Sequence, residues 1–167
     1  MKTFEGEKGI GMSEREARRF LTQSKSTLIL ATTNSDGSPV IHPVWFYFDP
    51  DKTKLYFYTG PGLKKAVNIR ERRQIYFDVD VDRWPYKGVK GRGNARLIES
   101  KSGASYWAEK ILTKYIKKGH PHIKLALKKV ESGEYVVFEI TPTYFTSWDY
   151  GKLVSQNRSF RDLVKSK

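Results

Sequence analysis

Ten consecutive residues, Pro39-Val40-Ile41-His42-Pro43-Val44-Trp45-Phe46-Tyr47-Phe48, constrain the fold of this chain more than any other stretch. Extended backbone sends alternate side chains to opposite faces, so His42, Val44, Phe46 and Phe48 share one face. Ile41, Pro43, Trp45 and Tyr47 share the other. Neither face is polar, and both need cover. A barrel interior serves one, and a subunit interface or an aromatic ligand serves the other. Pro43 has no N–H for a ladder, which points to an edge strand or a bulge at that position.

The rest of the chain reads as short strands with helices between them. Residues 1–12, with Gly6, Gly9 and Gly11, show little apolar pattern and read as a flexible N-terminal arm. Ser13 followed by Glu16 is a capping box, and Ala17, Phe20 and Leu21 continue at helical spacing to about Ser24. Thr27–Thr33, Pro39–Phe48 and Lys54–Thr59, separated by turns at Asn34–Gly37 and Asp49–Asp51, read as three strands in meander order. Leu63–Arg72 has a helical pattern, and Gln74–Val81 alternates as a strand. Gly88, Gly91 and Gly93 lie within the strand-like run Lys87–Glu99, as a sharply coiled or bulged barrel strand requires.

Two basic helices, Ser102–Lys118 and His122–Val130, precede two final strands, Glu134–Ile140 and Tyr144–Trp148. Residues 13–150 thus form one domain, followed by a polar, basic C-terminal tail, 151–167. The pattern fits a mainly antiparallel α+β barrel with peripheral helices.

The chain has 167 residues, 38% hydrophobic and 14% aromatic, enough for one globular domain. It contains no cysteine, which excludes disulfides, thiolate metal sites and cysteine nucleophiles. No stretch approaches the roughly 20 apolar residues that span a bilayer, and the start lacks a signal-peptide core. A soluble, cytoplasmic protein is the expectation. With 31 Lys and Arg against 18 Asp and Glu, the formal charge of +13 favours anionic partners.

An anion site is outlined at Tyr58-Thr59-Gly60-Pro61-Gly62-Leu63-Lys64-Lys65-Ala66-Val67-Asn68. A strand ends in a hydroxyl and two glycines, then opens a helix bearing two lysines. Free N–H groups, a hydroxyl and an ammonium can converge there on one phosphate. The glycines form neither a Walker loop nor a GxGxxG, so nucleoside triphosphate and Rossmann readings have no support.

Leu30-Ala31-Thr32-Thr33, Asp36-Gly37, His42-Pro43-Val44-Trp45-Phe46, Tyr58-Thr59-Gly60, Lys65-Ala66-Val67-Asn68-Ile69 and Tyr86-Lys87-Gly88-Val89-Lys90-Gly91-Arg92-Gly93 occur in this order. In them the chain resembles the pyridoxamine 5′-phosphate oxidase-related, FMN-binding split β-barrel proteins. It is most similar to the branch that includes deazaflavin-dependent reductases. The resemblance covers Ser13 to Glu99 well and returns at Ile140–Lys152.

The resemblance implies a flavin-reductase-like split barrel, a homodimer with cofactor sites at its interface, and FMN or the deazaflavin coenzyme F-420. It places Pro43, Val44 and Trp45 along the ring, Thr59 and Lys65 on the phosphate, and Asn68 nearby. His42 lies beside the ring, Tyr58 belongs to the same cofactor site, and Lys64 offers a second phosphate contact. Trp148 would close over the ring, with Lys87 and Lys90 completing the pocket. The activity implied is an oxidoreductase passing hydride between cofactor and a small organic acceptor. The vitamin B6 oxidase itself carries C-terminal arginine and histidine groups for its substrate. Here the C-terminal stretch reads Phe160-Arg161-Asp162-Leu163-Val164 instead, so vitamin B6 oxidation is not implied.

Other readings are weaker. His42, His120 and His122 have no carboxylate at metal-ligand spacing, and Ser24, Ser26, Ser35 and Ser38 lie in no nucleophile elbow. Asp78, Asp80 and Asp82 read as exposed edge charges. Lys110, Lys114, Lys117, Lys118, Lys124, Lys128 and Lys129 read as a solvated helix face, with single-stranded nucleic acid as the rival. A non-catalytic flavin or deazaflavin carrier is the alternative to an enzyme.

Overall fold

The computed structural model describes residues 3–156, and its strands follow the apolar alternation of the sequence. In chain order the elements are β1 (Thr3–Gly6), α1 (Glu14–Gln23), β2 (Leu28–Thr33), β3 (Pro39–Val44), β4 (Phe46–Asp49), β5 (Lys54–Thr59) and α2 (Lys64–Glu71). They continue with β6 (Gln74–Asp80), β7 (Lys87–Leu97), α3 (Lys101–Tyr115), α4 (Pro121–Ser132), β8 (Val136–Asp149) and α5 (Gly151–Gln156). The strands form one sheet in the order β3-β2-β6-β7-β8-β5-β4, antiparallel throughout that path, with β1 parallel to β8. The protein is a split β-barrel of the α+β class.

The two ends of that order, β3 and β4, are consecutive in the chain and separated by Trp45 alone. The long apolar run is therefore not one strand of a meander. It pairs with β2 up to Val44, bends, and pairs with β5 from Phe46, which curls the sheet back on itself. At the bend the Phe46 N–H donates to the Tyr115 hydroxyl at 3.3 Å, which donates to the Ser26 carbonyl at 3.0 Å. A side chain thus satisfies a backbone donor that the broken ladder would leave orphaned.

Curling also requires β7 and β8 to approach closely. A Cβ at Gly91 would run into the Tyr144 carbonyl and the Phe77 ring, and one at Gly93 into the Thr141-Pro142 backbone. The register shifts between Arg92 and Gly93, and Pro142 pairs with Gly93 at that shift. A proline is tolerated there because the ladder is already interrupted, so the two expected final strands are one continuous β8.

The barrel interior holds Phe46, Phe48, Leu55, Phe57, Phe138 and Ile140, none more than 1% exposed. Each such side chain contributes about 1.5–3 kcal/mol on leaving water. Ala17, Phe20 and Leu21 of α1 and Ala66 and Ile69 of α2 join the same core. The capping box that starts α1 is formed, Ser13 accepting from the Glu16 N–H and Glu16 accepting from the Ser13 N–H. The α3–α4 hairpin packs outside the barrel on two smaller clusters.

Two segments depart from the expected loose ends. Thr3–Gly6 pairs with Tyr144–Ser147 as β1, occupying the edge of β8 that β5 leaves free. Gly151–Gln156 forms α5, with the Asp149 carboxylate accepting from the Gly151 N–H at 2.8 Å. The rest of the expected tail lies outside the described residues. Among the described residues, no helix is long and apolar enough to cross a membrane.

Candidate functional site

The end of β5 and the start of α2 carry the segment in which the sequence outlines an anion site. Thr59 closes β5 opposite Val136, and the loop Gly60–Leu63 leads directly into α2. Arg70 donates to the Pro61 carbonyl at 2.6 Å and so holds that loop against its helix. The N-cap Leu63 offers no side-chain cap, and the N–H groups of Lys64 and Lys65 find no backbone acceptor among the described residues. An uncapped start with free N–H groups attracts an anion.

Lys65 is only 9% exposed, yet its ammonium has no hydrogen-bond or ion-pair partner among the described residues. Burial pushes its pKa below the usual lysine range. His42, on the inner face of β3 opposite Leu30, has a buried Nε2 with no partner. Burial first, and the nearby Lys65 charge second, lower its basicity, so the imidazole is held neutral. A buried cation and a buried imidazole nitrogen, both unsatisfied and within electrostatic reach of each other, fit a missing polar ligand. Lysine and histidine beside a helix start are the donor set for a phosphate ester.

Asn68 is 1% exposed and has a different task. Its Nδ2 donates to Thr32 Oγ1 at 3.1 Å and Asn34 Oδ1 at 3.0 Å, pinning α2 to the end of β2. It positions Lys65 one helical turn away. Thr32 and Asn34 were not marked by sequence reasoning, because their role depends on α2 folding back over β2. Lys64 is exposed and faces the β2–β3 turn. There bonds from Ser38, with a smaller contribution from Lys64, keep the Asp36 carboxyl below its usual range.

The remaining candidates have packing partners of their own. Trp45 stacks on Tyr115 of α3, with centroids 4.9 Å apart and planes 7° apart, and Tyr58 packs beside Tyr135. Both side chains belong to the layer between barrel and α3–α4 hairpin. Val44 is in the core, and Pro43 is exposed on the outermost strand. Lys87 lies 5.9 Å from the Phe20 ring of α1, and Trp148 covers Gly88, with Lys90 5.1 Å above its ring. These two line the far end of β7 and β8 and join the Lys65 cluster only if a second subunit brings them there.

Asp78 departs from the sequence expectation. It is not an edge charge: β6 lies between β2 and β7, and Asp78 Oδ1 is buried without a partner. Burial, reinforced by Asp80, pushes its carboxyl up to about 6. The alternation of Tyr76, Asp78 and Asp80 opposite Lys90 and Arg92 was the available signal.

Comparison with known proteins places this architecture. The family model described as pyridoxamine 5′-phosphate oxidase matches residues 13–149. A solved conserved hypothetical protein of Mycobacterium tuberculosis superposes with a TM-score of 0.76 at 24% identity, covering 89% of this chain and 92% of its own. An FAD-binding protein of Mesorhizobium loti gives 0.59 at 22% identity, covering 81% and 93%. A structure described as an F420 reductase gives 0.57 at 22% identity, covering 75% and 92%. At these identities the likeness is one of fold. No curated protein matches the chain. With the family model spanning most of its length, the chain belongs to the pyridoxamine 5′-phosphate oxidase family.

Proposed function

We propose that this protein is an oxidoreductase that binds FMN or the deazaflavin coenzyme F-420 and exchanges hydride with a small organic acceptor. The observation that carries the reading is the buried, unpartnered Lys65 at the uncapped start of α2, beside the unsatisfied Nε2 of His42. Family membership and the flavin- and F420-related neighbours support the same class of ligand.

In this reading Lys65, the Thr59 hydroxyl and the free N–H groups of α2 hold the phosphate, with Lys64 as an outer contact. Thr32, Asn34 and Asn68 fix α2 so that Lys65 points at that spot. The bound cofactor supplies the hydride chemistry. The neutral His42 donates or accepts one hydrogen bond next to the phosphate, and no side chain has to act as acid or base. Pro43 and the outermost strand offer an apolar edge to the ring. Lys87 and Trp148 reach the ring from the second subunit of a homodimer.

Stopped-flow oxidation of the reduced cofactor by a quinone, with and without the protein, tests catalysis. Accelerated turnover at substoichiometric protein supports the enzyme. Tight binding without acceleration identifies a carrier instead.

A further inference from the structure

Arginine gathers where α2 leads into β6. Between that turn, the end of β7 and the flank of α3 lies an open concavity of about 580 Å³. Arg70, Arg73 and Arg96 all line it, together with Glu99, Ser100 and Glu139, whereas Thr59, Lys65 and His42 do not. The chain brings the three guanidiniums there from two directions. The Ala95 N–H donates to the Arg73 carbonyl at 2.8 Å, so the α2–β6 turn lies beside the strand that carries Arg96. Arg70 stands three residues earlier, in the last turn of α2. Neighbouring Arg72 is spent elsewhere, on the Asn34 and Ser35 carbonyls.

Two of the three are anchored at one nitrogen and open at the others. Arg96 Nε donates to Glu139 at 2.9 Å, and the buried Glu139 also accepts from Lys54 at 2.7 Å and from the Tyr56 hydroxyl at 3.2 Å. Arg70 donates from one terminal nitrogen to the Pro61 carbonyl. The remaining N–H groups of both, and the whole Arg73 guanidinium, have no partner among the described residues. Lys54 already offsets Glu139, so Glu99 is the one lining acid left to oppose three arginines. Guanidiniums anchored in this way lose little side-chain freedom when an anion arrives.

We propose that this concavity binds a diphosphate group, either free pyrophosphate or the diphosphate of a nucleotide. An arginine fork takes one carboxylate or one phosphoryl group through two parallel bonds. A single carboxylate would satisfy one arginine and leave two. Two linked phosphoryl groups present oxygens on several sides and can engage all three. The volume lies within the range of about 300–1,000 Å³ usual for small-ligand sites. Ile69, Ile98 and Trp107 add an apolar wall suited to the organic part of a nucleotide. The inference stands apart from the cofactor reading, because the two sites share no side chain.

Isothermal titration calorimetry of the full chain with pyrophosphate, ADP and citrate is the test, at about 0.15 M salt to screen distant surface charge. The Lys65→Met protein serves as the background, so that phosphate binding at the start of α2 does not contribute. It is expected to bind one pyrophosphate or ADP per chain with a submillimolar dissociation constant. Arg73→Gln and Arg96→Gln each weaken that binding at least about 10-fold. Arg70 is left intact because it also holds the Gly60–Leu63 loop. Arg73 is exposed and its side chain makes no internal bond, so its replacement leaves the fold in place.

Tighter binding of ADP than of pyrophosphate supports a nucleotide as the ligand, and the reverse supports the free anion. Absence of binding of either to Lys65→Met overturns the site. So does binding that Arg73→Gln and Arg96→Gln leave unchanged. Citrate bound more tightly than both overturns the diphosphate assignment. None of these failures touches the Lys65 reading, which stands or falls on FMN and F-420 titration of the wild type.

Discussion

Replacing Lys65 by methionine separates a phosphate ligand from a packing residue, because the two readings predict opposite signs. Methionine keeps the length and the buried stem while removing the charge. In the free protein the Lys65 ammonium is buried without an anion, so Lys65→Met should raise the melting temperature. The wild type should also gain stability as pH rises toward 10.5, the ordinary lysine value, from the lowered folded-state pKa. In that window the unfolded chain holds the proton that the folded chain has released, and the variant lacks this slope. With cofactor bound the sign reverses. Losing one charge-assisted phosphate contact costs about 1.5–3 kcal/mol. That weakens the dissociation constant roughly 10- to 150-fold. Differential scanning fluorimetry of the free protein and fluorescence titration with FMN and F-420 read the two effects. A variant that melts lower when free and binds the cofactor unchanged would refute the assignment.

Three further substitutions probe the frame around the site. Burial pushes Lys114 down to about 7, while the Phe46 ring at 3.5 Å and the Leu21 carbonyl at 3.3 Å offset part of the cost. Lys114→Met should therefore stabilise the protein by about 3 kcal/mol at pH 6. The gain fades as pH rises from 7 towards 10.5, checked by urea unfolding at both ends of that range. Gly91→Ala should destabilise by about 2–4 kcal/mol, since the added methyl meets the Tyr144 carbonyl, and chemical denaturation will show it. Ser13→Ala removes half of the capping box and should cost about 1 kcal/mol in thermal melts, with α1 fraying first in hydrogen exchange.

Local pattern made most elements legible. Period-two alternation located β2, β5, β6 and β7, and the Ser13–Glu16 pair located the start of α1. What alternation cannot show is which strand lies beside which. The bend at Trp45 depends on Tyr115, 70 residues later, supplying an acceptor for one N–H. The burial of Asp78 depends on β2 closing over β6, so a residue that looks like a surface charge buries one carboxylate oxygen without a donor. The junction of β5 and α2 that carries Thr59 and Lys65 was legible because a strand end, glycines and a helix start are contiguous in sequence. The partners that pin α2 through Asn68, Thr32 and Asn34, lie outside that helix. Trp45 shows the converse. Its aromatic character matched a cofactor wall, yet the same ring also suits the hydrophobic seam beneath α3, and local sequence cannot choose between them.

The most direct test is equilibrium titration of the purified protein with FMN and with F-420, preceded by an absorption spectrum of the protein as isolated. One cofactor per subunit is expected to bind at micromolar affinity or tighter, with binding that inorganic phosphate competes and Lys65→Met weakens. If neither cofactor binds at micromolar concentration, the phosphate site at Thr59 and Lys65 and the oxidoreductase built on it are both contradicted.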